Sequence, residues 1–533
     1  MEKLRVGWQM STSYTDPPIV LMGLVPCLAV STAVSCFHAH QMLFSTVFEH
    51  TACSFAAAIL PWALLCFLWH VVYHGAWCTE HGVDTSVFVV WKHPTGKLAT
   101  HYRHRRIPIG LLYECYLKEE LSWNPECENG DCYLILQKHR AKFVNYKVCS
   151  HQILWLFTQF LPVGLAGTSL GTGSSSGKTV HETEQQIHQH YDRGNQVFRA
   201  MLGKAMVYTC ALFEESPSFA SDAMYNGDYA RSAGDYALEV AQSNKMRVIC
   251  EKLGLQEGDE LLDIGCGWGT LLRFSRLVYG ATSTGVTLSV QGKRYCEDAS
   301  LHTGVSTKTL LCDYRDIPDG ASFDKIASIE MAEHVGLCNF VHPYLSSIRK
   351  HMKSPNSRFL LQVSGLRQGA SWEDVAWGLF MSKYIFPGAD ASTPLHWYVR
   401  QCELAGFEVL SVENIGGHYS HTLHKWYDNW MAHKEEILSG DIDAISDHSR
   451  GTHMFRLQEF FLAWSTIAAA QGTATCYQLL LRPNLCESTR FQETFACDNA
   501  MENFTHSVSV MDSICMSHSA ARKADLRERR KSE

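Results

Sequence analysis

Hydrophobic residues near the N-terminus form two long runs without a formal charge, at 19–37 and 51–73. At 1.5 Å per residue, either run as a helix is long enough to cross the hydrocarbon core of a bilayer. The connecting loop carries one formal charge, Glu49, whereas Lys92, Lys97 and three arginines at 103–106 follow the second run. The pattern predicts a two-helix transmembrane hairpin within residues 1–80, with both ends in the cytosol.

The next region, 81–180, mixes short apolar runs with polar segments. Its apolar run at 153–165 is too short to span a bilayer, so lying on the membrane and packing against a catalytic core both remain open. A Gly/Ser/Thr-rich stretch at 164–179 follows and is typical of a flexible linker. We therefore expect a membrane-proximal region that ends in a linker.

From residue 181 short apolar runs alternate with segments of helical spacing. Strand-like runs lie at 261–264, 282–287, 309–312, 323–329 and 358–363, and helical spacing is found at 244–253 and Thr270–Tyr279. This alternation predicts a doubly wound, mostly parallel α/β sheet. Runs at 407–412 and 476–481 bring the count to seven strands. The predicted domain is 181–485, and the polar tail 486–533 is predicted to be disordered.

The chain is organised around the segment LLDIGCGWGT at 261–270. A short buried strand ends here, and Gly265, Gly267 and Gly269 alternate through a turn before a helix. Glycine allows the backbone to turn sharply and to approach a ligand closely, and a helix N-terminus offers unpaired N–H groups. The spacing lacks the dinucleotide fingerprint G-x-G-x-x-G. With Asp263 two residues before the first glycine, it resembles the S-adenosylmethionine (SAM) turn of class I methyltransferases.

Composition excludes several classes of protein. The net charge of −8 argues against a nucleic-acid-binding protein, because no domain-wide basic field exists. The 20 Cys and 27 His show no zinc-ligand spacing, so we expect no metal site and reduced thiols on the cytosolic side.

Several motifs occur in a specific order: HYDRGN, YTCALF, LLDIGCGWGT, GVTLS, CDYRDIP and MAEHVG. Region 181–485 with these motifs resembles the cyclopropane fatty-acid synthase family of SAM-dependent lipid methyltransferases. The segment KYIFPGADASTPL at 383–395 and the tandem N-terminal spans resemble its sphingolipid C9-methyltransferase branch. The resemblance implies a class I methyltransferase fold and SAM as methyl donor. It also implies methyl transfer to C9 of the Δ8-unsaturated sphingoid base of ceramide or glucosylceramide.

Carried over position by position, the resemblance implies a set of SAM-binding residues around the glycine turn and the next two strands. Gly292 stands where the family usually has glutamine after TLS, so either the loop is rebuilt or that contact is lost. The implied SAM-binding residues are Tyr208, Thr209, Leu261, Leu262, Asp263, Ile264, Gly265, Cys266, Gly267, Trp268, Gly269, Thr287, Leu288, Gln291, Tyr314 and Arg315.

An alkene that attacks a sulfonium methyl becomes a carbocation, so the site needs aromatic faces or a carboxylate, and a base. Glu333 of MAEHVG is the first catalytic candidate, with helix capping as its alternative role. Cys210 matches a position that helps to hold a bicarbonate base in the family. The bicarbonate histidine and tyrosine fall on Gln362 and Phe461, which puts bicarbonate in doubt and favours a methyl branch over a ring. Tyr419 is a further candidate base or supporting residue.

These features predict a multi-pass membrane enzyme of lipid metabolism with its catalytic domain in the cytosol and the endoplasmic reticulum as its expected location. Its expected partners are the bilayer and a lipid substrate. One alternative is a cyclopropane or methyl-branching synthase acting on phospholipid acyl chains. Another is a non-catalytic SAM-binding membrane scaffold.

Overall fold

The computed structural model describes residues 83–146, 194–213, 238–367, 371–387, 389, 393–439 and 448–484. The expected membrane hairpin, the expected linker and the expected disordered tail lie outside these residues, as do the first four residues of HYDRGN. Within the described ranges, no helix combines the length and the apolarity that crossing a membrane requires.

Residues 83–146 fold into short strands and helices. They are β1 (Val89–Trp91), α1 (Lys97–Tyr102), β2 (Ile107–Pro108), α2 (Ile109–Leu117), β3 (Leu121–Trp123), α3 (Cys132–Phe143) and β4 (Val144–Asn145). Strand β1 pairs antiparallel with β3, and β2 pairs parallel with β4. Asp131 caps α3, because its side chain accepts a hydrogen bond from the Leu134 N–H at 2.9 Å.

Two helices precede the large sheet, and its first half alternates strands with helices. In chain order these elements are α4 (Asn195–Leu202), α5 (Leu238–Leu253), β5 (Glu260–Ile264), α6 (Thr270–Tyr279), β6 (Thr282–Thr287), α7 (Val290–Thr303), β7 (Lys308–Leu311), β8 (Lys325–Ile329) and α8 (Ser346–Lys350). The second half adds β9 (Arg358–Leu366), α9 (Trp372–Phe380), α10 (Leu395–Leu404), β10 (Phe407–Asn414), α11 (Gly417–Ala432), α12 (Lys434–Ser439), α13 (His448–Ala470) and β11 (Ala474–Pro483).

The large sheet has seven strands in the order β10-β11-β9-β8-β5-β6-β7. Strands β5 to β9 pair in parallel, and β11 runs antiparallel to β9 with Tyr477 opposite Val363. The predicted class I methyltransferase sheet, mostly parallel and seven-stranded, is confirmed. The bounds of α6 and β6 are those predicted. Strand β8 begins at Lys325 rather than at Phe323, which forms an isolated bridge with Met352.

The central strands are covered on both faces, which explains their near-continuous apolar sequence. Leu261 and Leu262 of β5 are fully buried, as are Leu360 and Leu361 of β9. Within each pair the two side chains point to opposite faces of the sheet. Their burial therefore requires apolar layers on both sides, which helices supply.

A helical layer above the carboxyl ends of the strands joins the methyltransferase fold to residues 83–146. Helices α11 and α13 bury Trp426, Trp430 and Trp464. The ring of Tyr113 on α2 lies 5.0 Å from that of Phe380 and 6.0 Å from that of Phe460. All of these residues belong to one hydrophobic core.

Candidate active site

The turn after β5 is built from glycines in the left-handed region, with φ of 83° at Gly265, 54° at Gly267 and 72° at Gly269. The Gly265 N–H donates to the carbonyl of Val286 at 2.9 Å, which joins the turn to the end of β6. A Cβ at position 265 would lie 2.6 Å from Cγ of Met331, so the turn lies directly against the segment after β8. These glycines bring the backbone to the carboxyl edge of three adjacent strands.

A pocket opens over this turn, where ligands bind in open α/β sheets. Most of the SAM-binding residues implied by the resemblance line it: Tyr208, Thr209, Asp263, Ile264, Gly265, Cys266, Gly267, Trp268, Thr287, Leu288 and Tyr314. Lys245, Ser289, Gly292, Asp313 and Glu330 also line it and were not among the predicted residues. The pocket thus unites positions from six separate stretches of the chain.

The other five implied residues lie outside the lining. Leu261 and Leu262 are core residues of β5, and Gly269 is the cap residue of α6. Gln291 is placed by its backbone, whose carbonyl accepts a hydrogen bond from the amide of Asn195 at 3.3 Å. Arg315 turns to its neighbour and donates to the Asp313 carboxylate at 2.6 and 2.9 Å.

The departure from the family pattern at Gly292 has a steric basis. A Cβ at this position would lie 2.8 Å from the carbonyl oxygen of Gly267. The Gly292 N–H meanwhile donates to Oγ of Ser289, which caps α7. The helix therefore approaches the turn too closely for a side chain, which favours the alternative of a rebuilt loop.

Two buried ionisable groups, Lys245 and Asp263, lie in the wall of the pocket. Lys245 of α5 is fully buried and donates to Oγ1 of Thr209, while Asp263 at the end of β5 is 3% exposed. Burial raises the pKa of Asp263 to about 7, against the opposing effect of Lys245. Burial also lowers the pKa of Lys245 to about 8, although Glu330 and other acidic groups favour its charged form. The Lys245 ammonium thus lies in the field of both carboxylates.

Glu330, directly after β8, is the residue that sequence reasoning missed. Its carboxylate accepts hydrogen bonds from the Cys210 N–H at 2.9 Å, the Gln362 amide at 2.6 Å and the Tyr419 hydroxyl at 2.6 Å. The available signal was an acidic residue directly at a strand end, the same signal that singled out Asp263.

The three predicted catalytic residues lie around Glu330 rather than in the pocket lining. Cys210 is fully buried, and its thiol donates to the carbonyl of Ile415 at 3.7 Å. Tyr419 approaches from α11, and burial together with Glu330 raises the pKa of its hydroxyl. The Glu333 carboxylate accepts a hydrogen bond from the backbone N–H of Ser364 on β9. The structure therefore shows Glu333 bound to strand β9.

The structure also describes Cys210, Gln362 and Phe461, which stand at the positions that the resemblance assigns to bicarbonate. Cys210 and Gln362 both donate to the Glu330 carboxylate, and Phe461 is buried in the aromatic core. A side-chain carboxylate of the chain itself therefore lies between the two residues that the family uses to hold an anion.

Aromatic rings connect the glycine turn to the helical layer. Tyr208 lies 5.8 Å from Phe198, 5.3 Å from Trp426 and 6.0 Å from Phe386 between ring centroids. Phe386 in turn lies 6.3 Å from Phe461. These rings form an apolar wall beside the pocket that suits a hydrocarbon chain and can stabilise a cation.

The pocket fits a nucleoside-type cofactor on its own evidence. Tyr314 is 5% exposed, and among the residues that the structure describes no hydrogen-bond partner is found for its hydroxyl. Such a buried hydroxyl in a pocket wall is an available site for a polar ligand. At Gly267 no described atom lies within 4 Å of a hypothetical Cβ, so the turn leaves open space on this side.

Comparisons with known proteins agree with this geometry. Residues 178–478 match the family model described as mycolic acid cyclopropane synthetase. Sphingolipid C9-methyltransferase 1 of Gibberella zeae is 37% identical over 395 residues, which cover 73% of this chain and 68% of that protein. The sphingolipid C9-methyltransferase of Komagataella phaffii is 38% identical over 400 residues, which cover 73% of each chain.

Among solved structures, a cyclopropane synthase from Mycobacterium tuberculosis is similar at 23% identity and a TM-score of 0.48, covering 58% of this chain and all of that one. The residues matched by the family model include the glycine turn, the pocket lining, and Glu330 with the residues that donate hydrogen bonds to it. The chain therefore belongs to the mycolic acid cyclopropane synthetase family of SAM-dependent lipid methyltransferases and has sphingolipid C9-methyltransferases among its relatives.

Proposed function

We propose that this chain transfers the methyl group of SAM to C9 of the Δ8-unsaturated sphingoid base of ceramide or glucosylceramide. The observation that carries the proposal is the similarity to sphingolipid C9-methyltransferases, which extends over nearly three quarters of the chain. The pocket supports it, because a SAM-type turn, a cluster of carboxylates and an aromatic wall meet in one place.

The residues divide the work of the reaction. Bound SAM supplies an electrophilic methyl group on a sulfonium. Asp263, the glycine turn and Tyr314 would hold the cofactor, and Tyr208 with its neighbouring rings would exclude water from the lipid chain. When the alkene of the lipid takes the methyl group it becomes a carbocation. Ring faces and nearby carboxylates stabilise such a charge in an apolar site.

The proposal includes attachment to a bilayer, with the hairpin at 19–37 and 51–73 as anchor and the endoplasmic reticulum as location. A long lipid is nearly insoluble in water, so the pocket must receive it at a membrane surface. Between residues 83 and 113 the only acidic residue is Asp84, against five lysines and arginines. Lys92, Lys97, Arg103 and Arg106 of this segment are exposed, which suits a surface of anionic lipid headgroups.

Deuterium labelling tests the proposal and separates it from its alternatives. The full chain is expressed in cells that make Δ8-unsaturated but unbranched sphingolipids, grown with methionine that carries a CD3 methyl group. A methyl branch keeps all three deuteriums, whereas a cyclopropane ring keeps two, because ring closure removes a proton from the transferred methyl. We expect sphingoid bases with three deuteriums.

The other outcomes overturn the proposal. Phospholipid acyl chains with two deuteriums would identify a cyclopropane synthase. No label in any lipid, with SAM still bound by the purified protein, would identify a scaffold. Glu333→Gln in the same cells tests the first predicted catalytic carboxylate. Glu297→Gln is the matched control, since this side chain lies on the surface of α7 beside Lys293 and is 56% exposed.

A further inference from the structure

Glu330 occupies a backbone position that ordinary residues avoid. Its φ is 52°, in the left-handed region, and the preceding strand β8 ends one residue earlier. The backbone N–H of Glu330 donates to the carbonyl of Gln362 at 2.8 Å, which fixes the residue at the edge of the sheet. Strained backbone of this kind clusters at active sites, where it fixes the direction of a side chain.

Among the described residues, five neutral donors from four separate stretches surround the carboxylate; one is the Cys476 thiol of β11, which donates to Oε1 at 3.5 Å. The Cys210 N–H and the Gln362 amide donate to Oε1 at 2.9 and 2.6 Å. The Tyr419 and Ser364 hydroxyls donate to Oε2 at 2.6 and 3.2 Å. Each of these donors is uncharged, and together they hold the carboxylate in one position in the pocket wall.

The orientation of the strongest amide donor is itself fixed across the sheet. The Gln478 amide of β11 donates to Oε1 of Gln362 at 2.8 Å, so the NH2 group of Gln362 must face Glu330. Lys252 of α5 donates to the carbonyl oxygen of the Gln478 side chain at 2.6 Å. Two amide dipoles thus connect a lysine charge to the carboxylate and hold it in one position.

Glu330 also lines the pocket together with the glycine turn. We infer that the Glu330 carboxylate is the catalytic group that faces the lipid carbocation and removes its proton. This inference rests on the proposed function and names the base of that reaction.

The π electrons of C8=C9 form the new bond from C9 to the methyl carbon, and the pair of the broken S–CH3 bond stays on sulfur. The positive charge is left on C8. The electron pair of the C9–H bond then restores C8=C9, and the proton passes to Glu330. The carboxyl group returns it to solvent after the product leaves.

Glu330→Gln keeps the shape of the side chain and removes both its charge and its basicity. We expect kcat to fall by about 100-fold or more, the range of general base catalysis, while the Kd for SAM stays within about threefold of the wild type. Glu459→Gln is the matched control. Glu459 is also buried and also accepts from a tyrosine hydroxyl, that of Tyr116, but it lies outside the pocket lining. Its kcat should stay within about threefold of the wild type.

Glu330→Asp keeps the carboxylate and withdraws it by one methylene. Proton removal from C9 should then limit the rate. The kinetic isotope effect, which is the ratio of kcat for the unlabelled lipid to kcat for the lipid with deuterium at C9, should therefore be larger in Glu330→Asp than in the wild type. A purely structural Glu330 would lower the rate without changing this ratio. Tyr419→Phe should lower kcat by about 10-fold with KM unchanged, since it loosens one oxygen of the base.

Different experimental results would reject Glu330 as the base and reject the proposed function. If the wild type methylates the sphingoid base and Glu330→Gln retains kcat within tenfold, Glu330 is not the base and the proposed function stands. If the wild type labels no sphingolipid, both fall. If Glu330→Gln does not bind SAM, the isotope ratio of Glu330→Asp decides, and an unchanged ratio there rejects the base.

Discussion

Alanine substitutions at two glycines of the same turn, Gly265 and Gly267, should have different effects on stability and on SAM binding. Gly265 and Gly267 both have positive φ, so alanine at either costs about 1–2 kcal/mol of backbone strain. Only at Gly265 does the new Cβ also meet packed atoms, Cγ and Cβ of Met331, at 2.6 and 2.7 Å. Overpacking of this kind adds roughly 1–3 kcal/mol. Gly265→Ala should therefore destabilise by about 2–5 kcal/mol and Gly267→Ala by about 1–2 kcal/mol.

Binding should follow the opposite order. Gly267 lines the pocket with no described atom within 4 Å of its Cβ, so a methyl group there takes space from the ligand. A loss of about 1.4 kcal/mol of binding energy weakens the Kd for SAM about tenfold in Gly267→Ala. In Gly265→Ala the new methyl points at Met331 instead, so folded molecules should bind SAM with a smaller loss.

Thermal unfolding and SAM titration of both purified variants check these orders. We expect the Tm to fall from wild type to Gly267→Ala and then to Gly265→Ala. Of the three proteins, Gly267→Ala should bind SAM most weakly and so have the highest Kd. Equal Tm values for the two variants would refute the steric role assigned to Met331, and unchanged SAM affinity in Gly267→Ala would show that the ligand does not approach this glycine.

Three further predictions concern the pocket. Because burial raises the pKa of Asp263 to about 7, SAM affinity should rise as the pH increases through about 7, and titration calorimetry should find this dependence abolished in Asp263→Asn. The free energy of unfolding should change in the opposite direction. Because the pKa of Asp263 is raised in the folded state, the ligand-free protein becomes less stable as the pH rises through that value. Gly292→Gln should weaken SAM binding through a clash with the Gly267 carbonyl, whereas Gln291→Ala should leave the measured Kd unchanged. Tyr314→Phe should weaken the Kd for SAM severalfold without lowering the Tm, since its hydroxyl has no partner among the described residues.

Local signals in the sequence were sufficient to predict where the strands and helices of the sheet region lie along the chain. The bounds of Thr270–Tyr279 and Thr282–Thr287 follow from helical spacing and from a buried strand, both of which are local patterns. The order of the strands and the antiparallel insertion of β11 between β10 and β9 were not predicted and are seen only in the structure. Pairing between distant strands leaves no mark on either strand alone.

The candidate site was predictable at the turn and not at the carboxylate. The glycines and Asp263 are contiguous in sequence, so their pattern is visible at once. Glu330 acquires its environment from Cys210, Gln362 and Tyr419, which are far apart in the chain and meet only after folding. The resemblance drew attention to Glu333, three residues away, whose side chain the structure shows bound to β9.

The core shared by residues 83–146 and the helical layer affects the order of events during synthesis. Tyr116 donates its hydroxyl hydrogen bond to Glu459, which lies 343 residues later. At about 5–20 residues per second, the ribosome makes the glutamate roughly 20–70 s after the tyrosine. During that interval the aromatic surface of α2, including Tyr113, has not yet met Phe460. Nascent chains of this protein therefore expose that aromatic surface until helix α13 has been made.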